Sequence, residues 1–157
     1  NRDITLSQAY DASVYWYYRE TVRSIGPAGF KHWLDTIGYG NADTTGGYDQ
    51  CWVRGGLRIT PRQQIDFLRK VQAEELPFSA RTYALAKAIM VREDTLGHVM
   101  RAKTGWAMSD NSSIEAPDRA PYFFANRVST SDTAHATFAQ ARIDIAKAVL
   151  REEGVWP

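Results

Sequence analysis

The chain has 157 residues and carries 19 Lys and Arg against 18 Asp and Glu, a formal net charge of +1 at pH 7. That length suits one domain, residues 1–157, with a core of its own, and the balanced charge gives no electrostatic case for a nucleic-acid or membrane-surface partner. A single cysteine excludes an internal disulfide, no apolar run reaches the ~18 residues of a membrane span, and three scattered histidines (His32, His98, His135) give no metal-ligand spacing.

Asn1-Arg2-Asp3 lacks an initiator Met and runs almost at once into a helix signal, so an interior start within a longer protein is expected. Thr5-Leu6-Ser7-Gln8 is a capping box, a hydroxyl at the N-cap and a Gln three residues on. Leu6, Ala9, Ala12, Tyr17, Val22 and Ile25 follow near helical spacing, which predicts one helix up to Gly26-Pro27 with Ser13 inside it. A second helix is predicted over Phe30 to Ile37, ended by Gly38, and Tyr39 to Gln50 reads as a polar loop. Cys51, beside Trp52 and with no nearby His, reads as a buried inert thiol.

Thr60-Pro61-Arg62-Gln63 is a second helix start, with Ile65, Phe67, Leu68 and Val71 as its buried stripe. Another helix is predicted over about Ala80 to Val91. After Asp94-Thr95-Leu96-Gly97 comes a strand, Val99 to Ala107, with Gly105 in its middle; a Gly inside a strand often marks close approach by a ligand. Pro121 to Val128 reads as a further strand. Phe138 to Glu152 reads as a last helix, with Ala141, Ile145, Ala148 and Val149 inward. The outcome is an α+β fold: a helical cluster, part of an antiparallel sheet, and a C-terminal helix covering it.

Four features carry the chemistry: Ser13-Val14-Tyr15, Tyr39-Gly40-Asn41, Trp52-Val53-Arg54-Gly55-Gly56, and Lys103-Thr104-Gly105-Trp106. Each is ordinary alone. A helical serine usually bonds its own turn, and a lone Trp usually belongs to the core. Their joint order and spacing, nearly over the whole chain, resembles the class D β-lactamases of the serine β-lactamase and penicillin-binding protein superfamily. It is also similar to the sensor domains of β-lactam receptor proteins.

The resemblance implies a β-lactamase/transpeptidase-like fold and acyl transfer from a nucleophilic serine to water, with β-lactam antibiotics as partners. It implies that Ser13 relays protons near the leaving nitrogen and that Lys103 supplies charge. Thr104, Gly105 and Trp106 would line the substrate, Trp106 through an oxyanion-hole N–H. Arg142 would pair with the substrate carboxylate. Val14 and Trp52 would surround the base lysine, Trp52 donating its indole N–H, while Val53, counted with the substrate-binding residues, stands where a Leu usually covers that lysine. Tyr39, Gly40 and Asn41 would shape the cleft. No metal or resident cofactor is implied beyond CO₂ held as a lysine carbamate, and a periplasmic or secreted location follows.

Two segments of the family pattern are missing from the sequence. No Ser has a Lys three residues later: Ser7, Ser13, Ser24 and Ser79 are followed there by Tyr10, Trp16, Pro27 and Thr82. The acylated serine and the carbamylated lysine are therefore expected in a missing N-terminal segment, which counts as a partner, and this chain alone is expected to be inactive. The apolar strand that the family places between the Lys-Thr-Gly strand and the Tyr122-Phe123-Phe124-Ala125 strand also has no counterpart between Ala107 and Ala120, which predicts an exposed sheet edge. Arg54 stands where an acidic residue is common. Tyr15-Trp16-Tyr17-Tyr18 is similar to the receptor sensors, which acylate and hardly deacylate. Enzyme, sensor and inactive remnant remain as three readings, and homodimerisation stays open.

Overall fold

Two hydroxyl-led boxes start helices where the sequence places them. The Thr5 hydroxyl accepts from the Gln8 amide while the Gln8 side chain accepts from the Thr5 amide, and Thr60 and Gln63 repeat the arrangement. The computed structural model describes residues 3–105, 110–116, 119–128 and 135–157. Within them the chain forms α1 (Leu6–Asp11), α2 (Tyr15–Ile37), α3 (Pro61–Gln72), α4 (Ala80–Met90), β1 (Val91–Thr95), β2 (His98–Lys103), β3 (Asp110–Ala116), β4 (Arg119–Asn126) and α5 (His135–Glu152). The architecture is α+β, with one antiparallel sheet in the order β1-β2-β3-β4.

The single first helix expected up to Gly26 is two. Leu6–Asp11 closes at Ala12, and Ser13 and Val14 separate it from α2. Helix α2 then passes through the Gly26-Pro27 break: Gly26 alone leaves helical geometry (φ 71, ψ 169), and the helix resumes at Pro27, earlier than the expected Phe30. Proline suits that point because a first-turn residue needs no amide donor. Gly38, at φ 64, ends α2 as expected, and the Tyr39 amide turns back to the Leu34 carbonyl at 2.9 Å.

The sheet corrects three expectations. Val91–Thr95, read as a helix end and a loop, is strand β1, joined to β2 by a two-residue turn in which Leu96 (φ 53) and Gly97 (φ 81) are both left-handed. Strand β2 ends at Lys103, so Gly105 lies beyond the strand rather than in its middle, and its carbonyl accepts from Arg142. The expected gap beside β2 is filled by β3. Lys103 pairs with Asn111 and Met100 with Ile114, while Ser113 pairs with Phe123 on the far side. A polar segment becomes a central strand here because both neighbours supply ladder partners, and strand propensity yields to that context.

Two apolar clusters lie among the described residues. Leu34, Cys51 and Leu57, flanked by Phe30, Tyr39 and Trp52, form one beneath α2. Met100, Ala102, Leu150, Val155 and Trp156, with Phe124 against them, join the sheet to α5. Helix α5 covers the sheet as expected but on a rotated face. Ile145 and Val149 are about half exposed (47 % and 51 %) and Ala148 is exposed, while Leu150 is buried and Arg142, Ile143, Ala146 and Lys147 are half-buried. Polar anchors set this rotation: Arg142 bonds the Gly105 carbonyl and Lys147 pairs with Glu93 on β1. No helix among the described residues is long and apolar enough to cross a membrane.

Candidate functional site

Ser13 sits in the turn that closes α1. Its amide donates to the Tyr10 carbonyl at 3.3 Å, and the Val14 amide reaches back to the Ala9 carbonyl at 2.9 Å. These two bonds make a Schellman closure, whose central residue must be left-handed and is usually glycine. Here it is Ser13 at φ 50. The turn lifts the serine side chain off the helix, where a helix-interior position would have turned it onto its own backbone.

Lys103, the last residue of β2, comes 90 positions later and meets it. Its ammonium donates to Ser13 Oγ at 2.5 Å and to the Thr104 carbonyl at 2.6 Å. Because the ammonium is the donor, the Ser13 hydroxyl proton is left to point elsewhere, toward whatever enters the cleft. Ser13 is exposed and Lys103, Thr104 and Gly105 are half-buried, so the pair is open to solvent on one side. Arg142 closes the other end, with Nη1 donating to the Gly105 carbonyl at 2.6 Å while its own backbone carbonyl accepts from Asn126 Nδ2 at 2.9 Å. Two cations and a hydroxyl thus bracket Thr104-Gly105, which suits an anionic ligand. Trp106 lies outside the described residues.

Tyr39, Gly40 and Asn41 form a clasp. Tyr39 packs edge-on to Phe67 at 5.1 Å and its hydroxyl donates to Gln64 Oε1 at 3.1 Å; burial pushes the phenol above its ordinary value, so it keeps its proton. A Cβ on Gly40 would lie 2.0 Å from the Arg58 carbonyl oxygen. The Asn41 side chain accepts from the Arg58 amide at 2.8 Å and donates to the Gly56 carbonyl at 2.9 Å. The motif therefore ties the polar loop to the segment before α3, a shaping role.

Trp52 is half-buried between Tyr15 and Phe30, both edge-on at 6.3 and 6.1 Å, and its neighbour Val53 is 58 % exposed. Val14, at the start of α2, is half-buried. Beneath them Asp49 accepts from Arg19 and Arg23, and the Arg19 bonds above all hold its carboxyl below the usual range. Cys51 is fully buried and burial raises its thiol, in keeping with an inert role.

The five lysines of the sequence do not fit a carbamate. Carbamylation needs an uncharged amine in an apolar pocket. Lys31, Lys87 and Lys147 pair with carboxylates, Lys103 serves Ser13, and Lys70 is exposed. Sequence reasoning named Ser13, Lys103 and Arg142, which the fold brings together. It passed over Tyr10, Asp11 and Arg92, which lie behind the pair. Tyr10 one turn before Ser13 was the available signal; Arg92 had none, since β1 itself was not foreseen.

Residues 1–139 match the penicillin binding protein transpeptidase domain. The probable β-lactamase YbxI of Bacillus subtilis is 36 % identical over 138 residues, 85 % of this chain and 52 % of that protein. The β-lactamase OXA-48 of Klebsiella pneumoniae is 34 % identical over the whole chain and 60 % of its own length. The chain therefore spans about half to three-fifths of these relatives. The crystal structure of the class D β-lactamase YbXI from Nostoc superposes with a TM-score of 0.91 at 34 % identity, over 99 % of this chain and 67 % of that one. The regulatory protein BlaR1 of Bacillus licheniformis is 28 % identical over the full chain and 27 % of its length.

Proposed function

The chain belongs to the penicillin-binding protein transpeptidase domain family, on its class D β-lactamase branch, and we propose that it forms the cleft and carboxylate-binding half of a serine β-lactamase acting on penicillin-type β-lactams. The observation that carries this reading is the Lys103–Ser13 contact at 2.5 Å. In the proposed reaction a serine in a Ser-x-x-Lys segment outside this sequence gives its hydroxyl proton to a base on that segment and adds to the lactam carbonyl. The C–N bond then breaks, and the departing nitrogen takes a proton from the Ser13 hydroxyl, which Lys103 replenishes. Water later cleaves the acyl ester and releases the opened acid. Arg142 and Thr104 hold the substrate carboxylate during both steps. The base, a lysine carbamate in this reading, belongs on that same outside segment, and the working protein is exported.

Supporting the proposal are the cationic bracket around Thr104-Gly105 and the match to class D relatives along the chain. Saturation-transfer NMR with benzylpenicillin tests the ligand half: binding is expected, and Arg142→Ala should weaken it tenfold or more. Equal binding by that variant would overturn the carboxylate assignment. A fluorescent penicillin should leave this chain unlabelled, and covalent labelling would overturn the placement of the nucleophile outside it.

A sensor reading is favoured by the BlaR1 match and by the Tyr15-Trp16-Tyr17-Tyr18 run. In a chain extended to include Ser-x-x-Lys, rapid release of the acyl group supports the enzyme, and a lasting acyl label supports the sensor.

A further inference from the structure

Tyr10 precedes Ser13 by one helical turn and lies behind the Ser13–Lys103 pair. Two cations lie over its ring, the Arg92 guanidinium 4.9 Å from the centroid and the Lys103 ammonium 5.6 Å from it. Its hydroxyl donates to the Ala102 carbonyl at 3.2 Å, next to Lys103 in the strand. Burial raises the phenol far above its ordinary value, so the hydroxyl stays protonated and remains a donor.

A strand irregularity makes room for this. In the β1–β2 ladder Val91 pairs with Arg101 and Glu93 with Met100, which leaves Arg92 as an extra residue with no partner across the ladder. Such a bulge re-aims a side chain. The freed Arg92 side chain donates through Nε to the same Ala102 carbonyl at 3.1 Å and pairs through Nη1 with Asp11 at the end of α1. One carbonyl thus collects Tyr10 and Arg92, and one ring collects Arg92 and Lys103.

We propose that Tyr10 is a positioning residue, whose ring face holds the Lys103 ammonium against Ser13 Oγ, with Arg92 fixing the ring from behind. An ammonium over an aromatic face is attracted by the ring quadrupole, most strongly where water is partly excluded. The ring acts beside the hydrogen bonds that the ammonium donates to Ser13 Oγ and to the Thr104 carbonyl, and limits the sweep of a long flexible stem. The consequence for proton relay rests on the β-lactam reading of the site; the Tyr10–Lys103 contact does not.

The test uses the whole chain with ¹³C-labelled lysine, in which five side chains are resolved and Lys103→Arg assigns the one in question. A ring face moves the ε-methylene protons of Lys103 upfield, a signature that packing alone does not give. Tyr10→Phe should keep that shift, since Arg92 still backs the ring. Tyr10→Leu should return it to the position of the exposed Lys70, and the acetic anhydride labelling rate of Lys103 should rise several-fold relative to Lys31. Tyr10→Met, unbranched and flexible, serves where the leucine variant fails to melt cooperatively. An unchanged Lys103 resonance and rate in the leucine or methionine variant overturns the proposal, as does a phenylalanine variant that behaves like them. None of these readouts uses a β-lactam, so failure of penicillin binding would strike the functional reading and leave this one standing.

Discussion

Ser13 holds a conformation that favours glycine, and it does so at the centre of the site. A non-glycine residue at φ 50 costs on the order of 1 kcal/mol, and such strain gathers where function needs a particular side chain. Helix α5 closes with the same pair of bonds and uses Gly154 at φ 66. Two variants separate the backbone cost from the side-chain loss. Ser13→Ala and Ser13→Gly both remove the Lys103 acceptor, but only glycine relieves the left-handed turn. The glycine variant should be the more stable of the two by about 1 kcal/mol in urea unfolding. Equal midpoints would show that the turn is unstrained. Asp49 makes the stability of the fold depend on pH. Arg19 and then Arg23 hold its carboxyl below the ordinary value of 3.8, so the charged form is favoured in the folded chain. The stability this contributes is present above the unfolded value and is lost as pH falls through the folded one. Asp49→Asn should therefore be less stable than the parent at neutral pH, with the gap closing below about pH 3.8. Urea midpoints measured down that range check the sign, and a gap that widens toward acid would refute it.

Among the elements, the β1–β2 hairpin is the clearest case of local chemistry set against geometry. Leu96 is 84 % exposed and left-handed at φ 53, a place where asparagine is far better suited than a branched apolar residue. Leu96→Asn should raise stability by about 0.5–1 kcal/mol, read as a higher urea midpoint at unchanged slope. A lower midpoint would mean that the leucine has a packing role. The same hairpin explains why part of the fold was hidden in the sequence. Thr5, Thr60 and Gly38 announce helix ends because a cap is a local hydrogen-bonding problem with few solutions. Val91–Thr95 and Asp110–Ala116 are strands only because β2 stands between them, and neither alternates or is apolar enough to say so alone. The Ser13 turn was hidden for a related reason: its neighbours keep helical spacing, and a serine in place of glycine removes the stop signal. The rotated face of α5 follows from Arg142 and Lys147, whose partners lie far away in sequence. For the site, the family resemblance carried by the motifs and their order pointed to Ser13, Lys103 and Arg142, whereas Tyr10 and Arg92 act through a bulge that only the sheet register reveals.

At the scale of the molecule, the two apolar clusters share no residue, and the site lies where the halves that own them meet. Leu34, Cys51 and Leu57 belong to the helical side, and Met100, Ala102, Leu150 and Trp156 to the sheet side. Near the cleft the join is made by polar and cation–ring contacts: Tyr10 to the Ala102 carbonyl, Asp11 to Arg92, and Ser13 to Lys103. Contacts of this kind are half-exposed and worth about 1 kcal/mol each, so near the cleft the join rests on individually weak contacts. A cleft that must admit a ligand gains from such a join, because the low-stability openings of a fold occur where few buried apolar contacts cross. Arg92→Met tests this directly, since it removes the bonds to Ala102 and Asp11 and the stack on Tyr10 while keeping an apolar stem. Amide hydrogen exchange in α1 should speed up roughly 5- to 30-fold, the equivalent of about 1–2 kcal/mol. Protection at Met100, Ala102 and Leu150 should hardly change. If exchange instead rises equally in α1 and the sheet, the two sides open as one cooperative unit. The polar contacts behind Ser13 and Lys103 would then be part of a continuous core rather than a hinge between two.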